Sequence, residues 1–213
     1  MVETKINIDD TTYPTKEHNR YKVKSPKTQI VIANSLRKKN YHIIHLQHKE
    51  LGRTKTWNTF TIDRGGKIFQ HYETDYHTDF LNKKNADKHI ISIVLENMGV
   101  LFKTDDGKFV NWINEECSEK LVEEKKWLGY NYWEKYSDKQ LKSLGKLCEM
   151  LCQKHNIPKE LIEFQHYHKD IHKFKGIAFR SNHIQDSSDM NPMFNLKTFN
   201  KQLNNIKNVQ IKK

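Results

Sequence analysis

The sequence is short of cysteine, of any signal-like start and of long apolar runs. Its 213 residues include three cysteines, Cys117, Cys148 and Cys152. An odd count without framework spacing argues against a disulfide scaffold, so buried free thiols are expected. The opening residues MVETKINIDDTTYP lack a basic segment followed by an apolar one. No secretory signal is therefore read, and synthesis in the cytoplasm is expected. No apolar run reaches the length that spans a bilayer. There is no HExxH pair, no internal repeat and no nucleic-acid signature.

What is present is polar but foldable. Hydrophobic residues make up 36% and charged residues 30%, while 11% aromatics argue against disorder. The formal net charge of +11 suits a polyanionic partner: nucleic acid, an anionic membrane or a cell wall. A biased Lys- and Asn-rich genome would give the same charge. The length fits one domain with a real core. Residues 1–27 read as a polar N-terminal arm ending in Ser25-Pro26-Lys27, and 28–213 as a single domain.

TQIVIANSLRKKN (28–40) reads as a short helix with Ile30, Ile32, Ala33 and Leu36 inward, and YHIIHLQHK (41–49) as a strand. WNTFTIDRGGKIFQHY (57–72) is a hairpin turning at Gly65-Gly66. HIISIVLENMG (89–99) is a continuous β-branched run, as in a strand covered on both faces. Residues 117–136 read as a polar helix and an aromatic loop. SDKQLKSLGKLCEMLCQKHNIP (137–158) is the strongest helix, with Ser137 and Gln140 as a capping box and a stripe through Leu141, Leu144, Leu147/Cys148 and Leu151/Cys152. FKGIAFRS (174–181) is a last strand, and 194–206 a closing helix. The order predicts an α/β fold, a mixed central β-sheet flanked by helices.

Twelve histidines are present, and most are expected to be ordinary polar residues. His45 sits in the strand-like stretch, and His183 opens the aperiodic loop FRSNHIQDSSDMNPMF. Ligands from separated elements are the usual pattern of catalytic zinc sites, although this spacing alone is weak. Glu96 ends the apolar run, where a carboxylate needs a partner, a site, or loop N–H groups to accept from. His77 lies after the hairpin and reads equally as a loop residue.

In order, these stretches resemble the zinc-dependent N-acetylmuramoyl-L-alanine amidase family, the amidase-2 group, which includes phage endolysins, bacterial amidases and peptidoglycan recognition proteins. His45 after YHII matches the ligand histidine at the end of the family's first core strand. FTIDRGGKIFQH resembles its hairpin, YHTDF its WHAG-like histidine, ISIVLENMG its IGIELVN strand, and YSDKQLKSLGKLCEMLCQKHNIP its long helix. RSNH…NP.F resembles GH…DPG..F, which carries the remaining zinc ligands. The match covers roughly residues 41–200.

The resemblance implies that zinc, held by His45, His183 and Asp189 or Asn191, activates water against the amide joining N-acetylmuramic acid to L-alanine of the peptidoglycan stem. Glu96 and His77 become the catalytic candidates, and Asn58 stands where the family places a substrate-facing tyrosine. The sequence departs from the pattern at Asn191, where Asp or Cys is usual, at Asp189, where a lysine is usual, and at Val94, where some members carry their glutamate. Three readings follow: an active zinc amidase of the phage-lysin type, a catalytically degenerate amidase fold that binds peptidoglycan, and a basic nucleic-acid binder using Trp127, Tyr130, Tyr132 and Trp133 as stacking platforms. A monomer is expected. The amidase readings place its action at the cell wall, after release from the host cytoplasm or within a virion.

Overall fold

The computed structural model describes residues 6–51, 55–162, 166–185, 187 and 189–209. In chain order the elements are β1 (Ile8–Asp9), β2 (Gln29–Asn34), α1 (Lys39–Leu51), β3 (Phe60–Ile62), β4 (Ile68–Gln70), α2 (Lys84–Asp87), β5 (Ile90–Leu95), β6 (Val100–Lys103), β7 (Phe109–Val110), β8 (Glu116–Cys117), β9 (Val122–Trp127), β10 (Tyr130–Glu134), α3 (Asp138–His155), β11 (Glu160–Ile162), β12 (Gly176–Phe179), α4 (Arg180–His183), α5 (Leu196–Asn200) and β13 (Lys207–Val209). An eight-stranded mixed sheet has the order β1-β4-β3-β5-β2-β12-β11-β13, and a five-stranded sheet the order β8-β7-β6-β10-β9. The mixed α/β architecture read from the sequence is the one observed.

β2 and β5 form the centre of the large sheet, in parallel register from Gln29↔Ile90 to Asn34↔Leu95. All six residues of each strand are buried. Strands covered on both faces show no alternation, and this is why β5 was legible as a doubly covered run. The same physics hid β2. Its apolar run Ile30–Ala33 has no period that separates strand from helix, so the sequence reading of 28–40 as a helix is corrected. The neighbouring stretch is corrected in the opposite direction, because 41–49 belongs to α1. There His42, Ile43 and Leu46 are buried while Ile44 is 47% exposed, a helical spacing.

The hairpin is as expected: β3 pairs antiparallel with β4, and Gly66 turns the loop at φ 85°. A Cβ at Gly66 would lie 2.8 Å from the Lys139 carbonyl oxygen of α3, so glycine is required there twice over. α3 begins at its cap, Ser137, whose Oγ accepts from Gln140 N. The reciprocal half of the capping box is absent, because the Gln140 amide instead donates to the carbonyls of Ile62 and Glu96. This ties the start of α3 to the carboxyl ends of β3 and β5. The stripe from Leu141 to Cys152 packs on Ile30, Ile32, Ile91 and Ile93. Each such aliphatic side chain contributes about 1.5–3 kcal/mol on burial. All three cysteines are free and buried.

Residues 117–136 are not a helix. β9 and β10 form a hairpin whose two-residue turn, Leu128-Gly129, has φ 47° and 81°. Positive φ at both positions matches the twist of a tight hairpin. β9 is VEEKKW with no buried residue, so its charges gave no apolar period to read. Trp133 is fully buried, Tyr132 packs edge-on to Phe109, and Trp127 tilts against Trp133. The C-terminal helix α5 spans only Leu196–Asn200, shorter than the expected 194–206. Residues 6–27 run along the hairpin: β1 pairs with β4, and Tyr21 N donates to the His77 carbonyl.

Candidate functional site

In open α/β sheets the ligand side is the carboxyl end of the strands. Here that edge is where β2 ends at Asn34 and β5 at Leu95, and the loop 189–194 closes over it. Asp189 Oδ1 accepts from the backbone N–H of Asn34 (2.5 Å) and of Met190 (3.1 Å). Its Oδ2 faces the Arg180 guanidinium at 3.4 Å. The Tyr136 hydroxyl donates to Asn34 Oδ1 (2.7 Å). The Asn191 amide donates to Asn97 Oδ1 (2.9 Å) and to the Glu134 carbonyl (3.0 Å). The Glu134 carboxylate pairs with Arg64 (2.8 Å) and accepts from Met98 N. The loop is thus fastened at once to β2, to the β5 exit and to the five-stranded sheet.

Burial controls the charges. It raises the Asp189 carboxyl above its ordinary range, against the pull of Arg180. It raises Glu134 likewise, against Arg64. It lifts the Tyr136 phenol well above its ordinary value, so that hydroxyl stays a neutral donor.

A second buried chain lies under α1. His42 Nε2 meets Asn58 Oδ1 (3.1 Å), and the Asn58 amide donates to the Phe60 carbonyl and to Thr61 Oγ1. Thr61 meets His71 Nε2 (2.8 Å), and His71 Nδ1 donates to the Tyr13 carbonyl (2.8 Å). The direction is fixed throughout, because carbonyl oxygens only accept. Desolvation pushes His42 down to about 3 and His71 to about 4, so both rings are neutral.

Of the residues named from the sequence, Asp189 and Asn191 meet at the strand ends, and Glu96 stands there directly after β5. His45 lies within α1, and the first central strand ends instead at Asn34. His183 ends α4, 1% exposed, with Nε2 bonded to Gln29 Oε1 (2.7 Å). Gln29 starts β2, five residues before Asn34, a separation of about 16 Å along the strand. Glu96 accepts from Lys39 N (3.0 Å) and Arg64 N (3.0 Å), so it caps α1 and clamps the β3–β4 loop. This is the loop-accepting role weighed for it from the sequence. His77 stacks on Tyr21 (4.6 Å, 11°) on the arm side. Asn58 is 1% exposed, with both ends of its amide committed. Asn34, Asn97, Tyr136 and Arg180 went unnoticed. For Asn34 the one signal was the abrupt switch from apolar to polar at IVIAN, legible only once β2 is known to be a strand.

Zinc needs three or four lone-pair donors in one place. Among the described residues, no group of three or more His, Cys, Asp or Glu side chains could hold a metal ion. At the strand ends the Glu134 and Asp189 carboxylates face guanidinium groups, Glu96 accepts from two backbone N–H groups, and the Asn191 amide nitrogen points at acceptors. These residues do not fit a zinc ion.

Among the described residues, no helix is long and apolar enough to cross a membrane. No curated protein matches the chain. Its fold is similar to that of the N-acetylmuramoyl-L-alanine amidase LysC from Clostridium intestinale URNW, with a TM-score of 0.54 at 14% identity, covering 94% of this chain and 99% of that one. It is equally similar to the endolysine N-acetylmuramoyl-L-alanine amidase LysCS from Clostridium intestinale URNW, with a TM-score of 0.54 at 15% identity, covering 96% and 97%. The family model Amidase_2, N-acetylmuramoyl-L-alanine amidase, matches residues 18–184, and the chain therefore belongs to that family.

Proposed function

We propose that this chain is a peptidoglycan-binding member of its family that does not cut the amide between N-acetylmuramic acid and L-alanine. The supporting observation is the Arg180–Asp189 pair (3.4 Å), which fills the edge where a metal-dependent amidase needs free donors. Asn191 strengthens the reading, since its amide is spent as a donor to two acceptors. Around this edge stand half-buried Arg180, Arg37 and Tyr136, together with exposed Trp112, whose ring lies under Arg37 (5.1 Å). Guanidinium and aromatic groups of this kind suit the carboxylates and amides of a stem peptide. The cell wall is then the place of action, reached by release from a host cytoplasm or from a virion.

The competing reading is an active zinc amidase of the lysin type, favoured by a family match that spans β2 through α4. Metal analysis of protein purified with added zinc, read beside muropeptide release and co-sedimentation with sacculi, separates the two. The binding reading expects sedimentation, no released stem peptides and far less than about one zinc per chain. Stoichiometric zinc with released stem peptides would establish the active enzyme instead. Absence of both sedimentation and release would remove peptidoglycan as the partner.

A further inference from the structure

A cavity of about 760 Å³ opens at the other edge of the large sheet, where β2 and β5 begin. Among the described residues its lining includes Lys83, Lys84, His89, Lys169, His172 and His183, and no acidic one. Two nearby carboxylates are engaged elsewhere. Asp87 accepts from the backbone N–H of Leu81 and Lys83, and Asp170 pairs with Lys173. A concave site with three ammonium groups and no carboxylate among its described lining residues focuses positive potential on whatever enters.

His183 adds a second, different feature. The Gln29 amide nitrogen donates to the carbonyls of Ile171 (3.1 Å) and Phe174 (3.1 Å), which turns Gln29 Oε1 toward the ring. That oxygen can only accept, so His183 Nε2 carries the proton. Burial, with Lys83 and His172 nearby, holds the ring down to about 3 and therefore neutral. Nδ1 is left as a bare acceptor, buried and without a partner among the described residues. Lys83 Nζ donates to the His183 carbonyl instead. A buried acceptor without a donor costs about 1–3 kcal/mol, so the site asks for an O–H as well as negative oxygens.

We propose that this cavity binds a phosphate group that keeps one O–H, either free or as a terminal phosphomonoester. Its charged oxygens meet Lys83, Lys84 and Lys169, and its hydroxyl reaches His183 Nδ1.

Sulfate is the discriminating control, because it carries more charge but no O–H. Calorimetric titration of the full chain at low salt and about pH 6 keeps an O–H on both: inorganic phosphate holds one even as its dianion, and a monoester, with a second ionisation at about 6, is partly protonated. Inorganic phosphate and glycerol phosphate are titrated separately, to distinguish free phosphate from an ester. The expected result is saturable one-site binding of at least one of them, with sulfate at least about tenfold weaker. Lys84→Ala and Lys169→Ala, both exposed, should keep the melting temperature and weaken binding several-fold. Three outcomes overturn the proposal: no saturable binding of either phosphate, sulfate binding as tightly, or lysine variants of unchanged affinity.

Discussion

The Asn191 side-chain amide donates to Asn97 Oδ1 at 2.9 Å, and that oxygen cannot turn away, because it also accepts from Gly99 N at 2.8 Å. Asn97 Nδ2 is committed to the Glu134 carbonyl (3.1 Å), the same oxygen that takes the second Asn191 bond. The asparagine before Pro192 is therefore a required donor. A carboxylate in its place would face two acceptors.

Asn191→Asp, which restores the residue type common in the family, should therefore destabilise this protein. Two buried hydrogen bonds are lost and a charge is left against oxygen, a cost of about 2–4 kcal/mol. Urea denaturation at neutral pH should show it. The deficit should shrink in acid, where the new carboxyl can donate again. A midpoint equal to the parent's would contradict the donor assignment.

Arg180→Met tests the ion pair. It leaves Asp189, 3% exposed, without its counter-charge. Breaking a buried pair costs about 3–5 kcal/mol, and the exposed third of Arg180 places this case at the lower end. Burial already raises Asp189, and removing Arg180 raises it further. A carboxyl raised in the folded state costs nothing below its unfolded pKa; the cost grows as pH rises from there and is complete above its folded pKa. The loss relative to the parent should therefore diminish as pH falls, as read by thermal melts across a pH series.

Glu96→Ala should cost about 1–2 kcal/mol, because Glu96 satisfies Lys39 N at the start of α1 and Arg64 N in the hairpin. Binding to sacculi should survive under conditions where the variant remains folded. Loss of binding in a fully folded variant would return Glu96 to the site.

The neutral histidines predict acid sensitivity. His42 falls from 6.5 to about 3 on folding, so the unfolded chain binds the extra proton between those values. Its stabilising share is complete above about pH 6.5 and is lost as pH drops toward the folded value, at about 1.4 kcal/mol per pH unit. His71, lowered to about 4, acts in the same sense. Asp87, raised to about 6, acts in the opposite sense. His42→Asn removes one share, and the slope of stability against pH between about 6 and 4.5 should become shallower by that amount. An unchanged slope would mean that His42 titrates in the folded state as it does in the unfolded chain.

The sequence by itself determined the elements whose signal is local. The stripe from Leu141 to Cys152, the cap at Ser137, the turn at Gly65-Gly66 and the β-branched run of β5 all announce themselves within one segment. The family's order of elements was legible for the same reason. Tertiary structure alone decided that Ile30–Ala33 is a strand, because burial on both faces erases its period, and that the short mixed run His42–Leu46 is a helix. It also decided the site. His183 lies beside His…Asp…Asn-Pro in sequence, yet its ring is bonded to Gln29 at the opposite end of β2 from Asn34. A polar residue's role depends on the donor or acceptor the fold sets against it. At Asn191, Asp189 and Glu96 those partners come from 94, 155 and 57 residues away, beyond the reach of any local pattern.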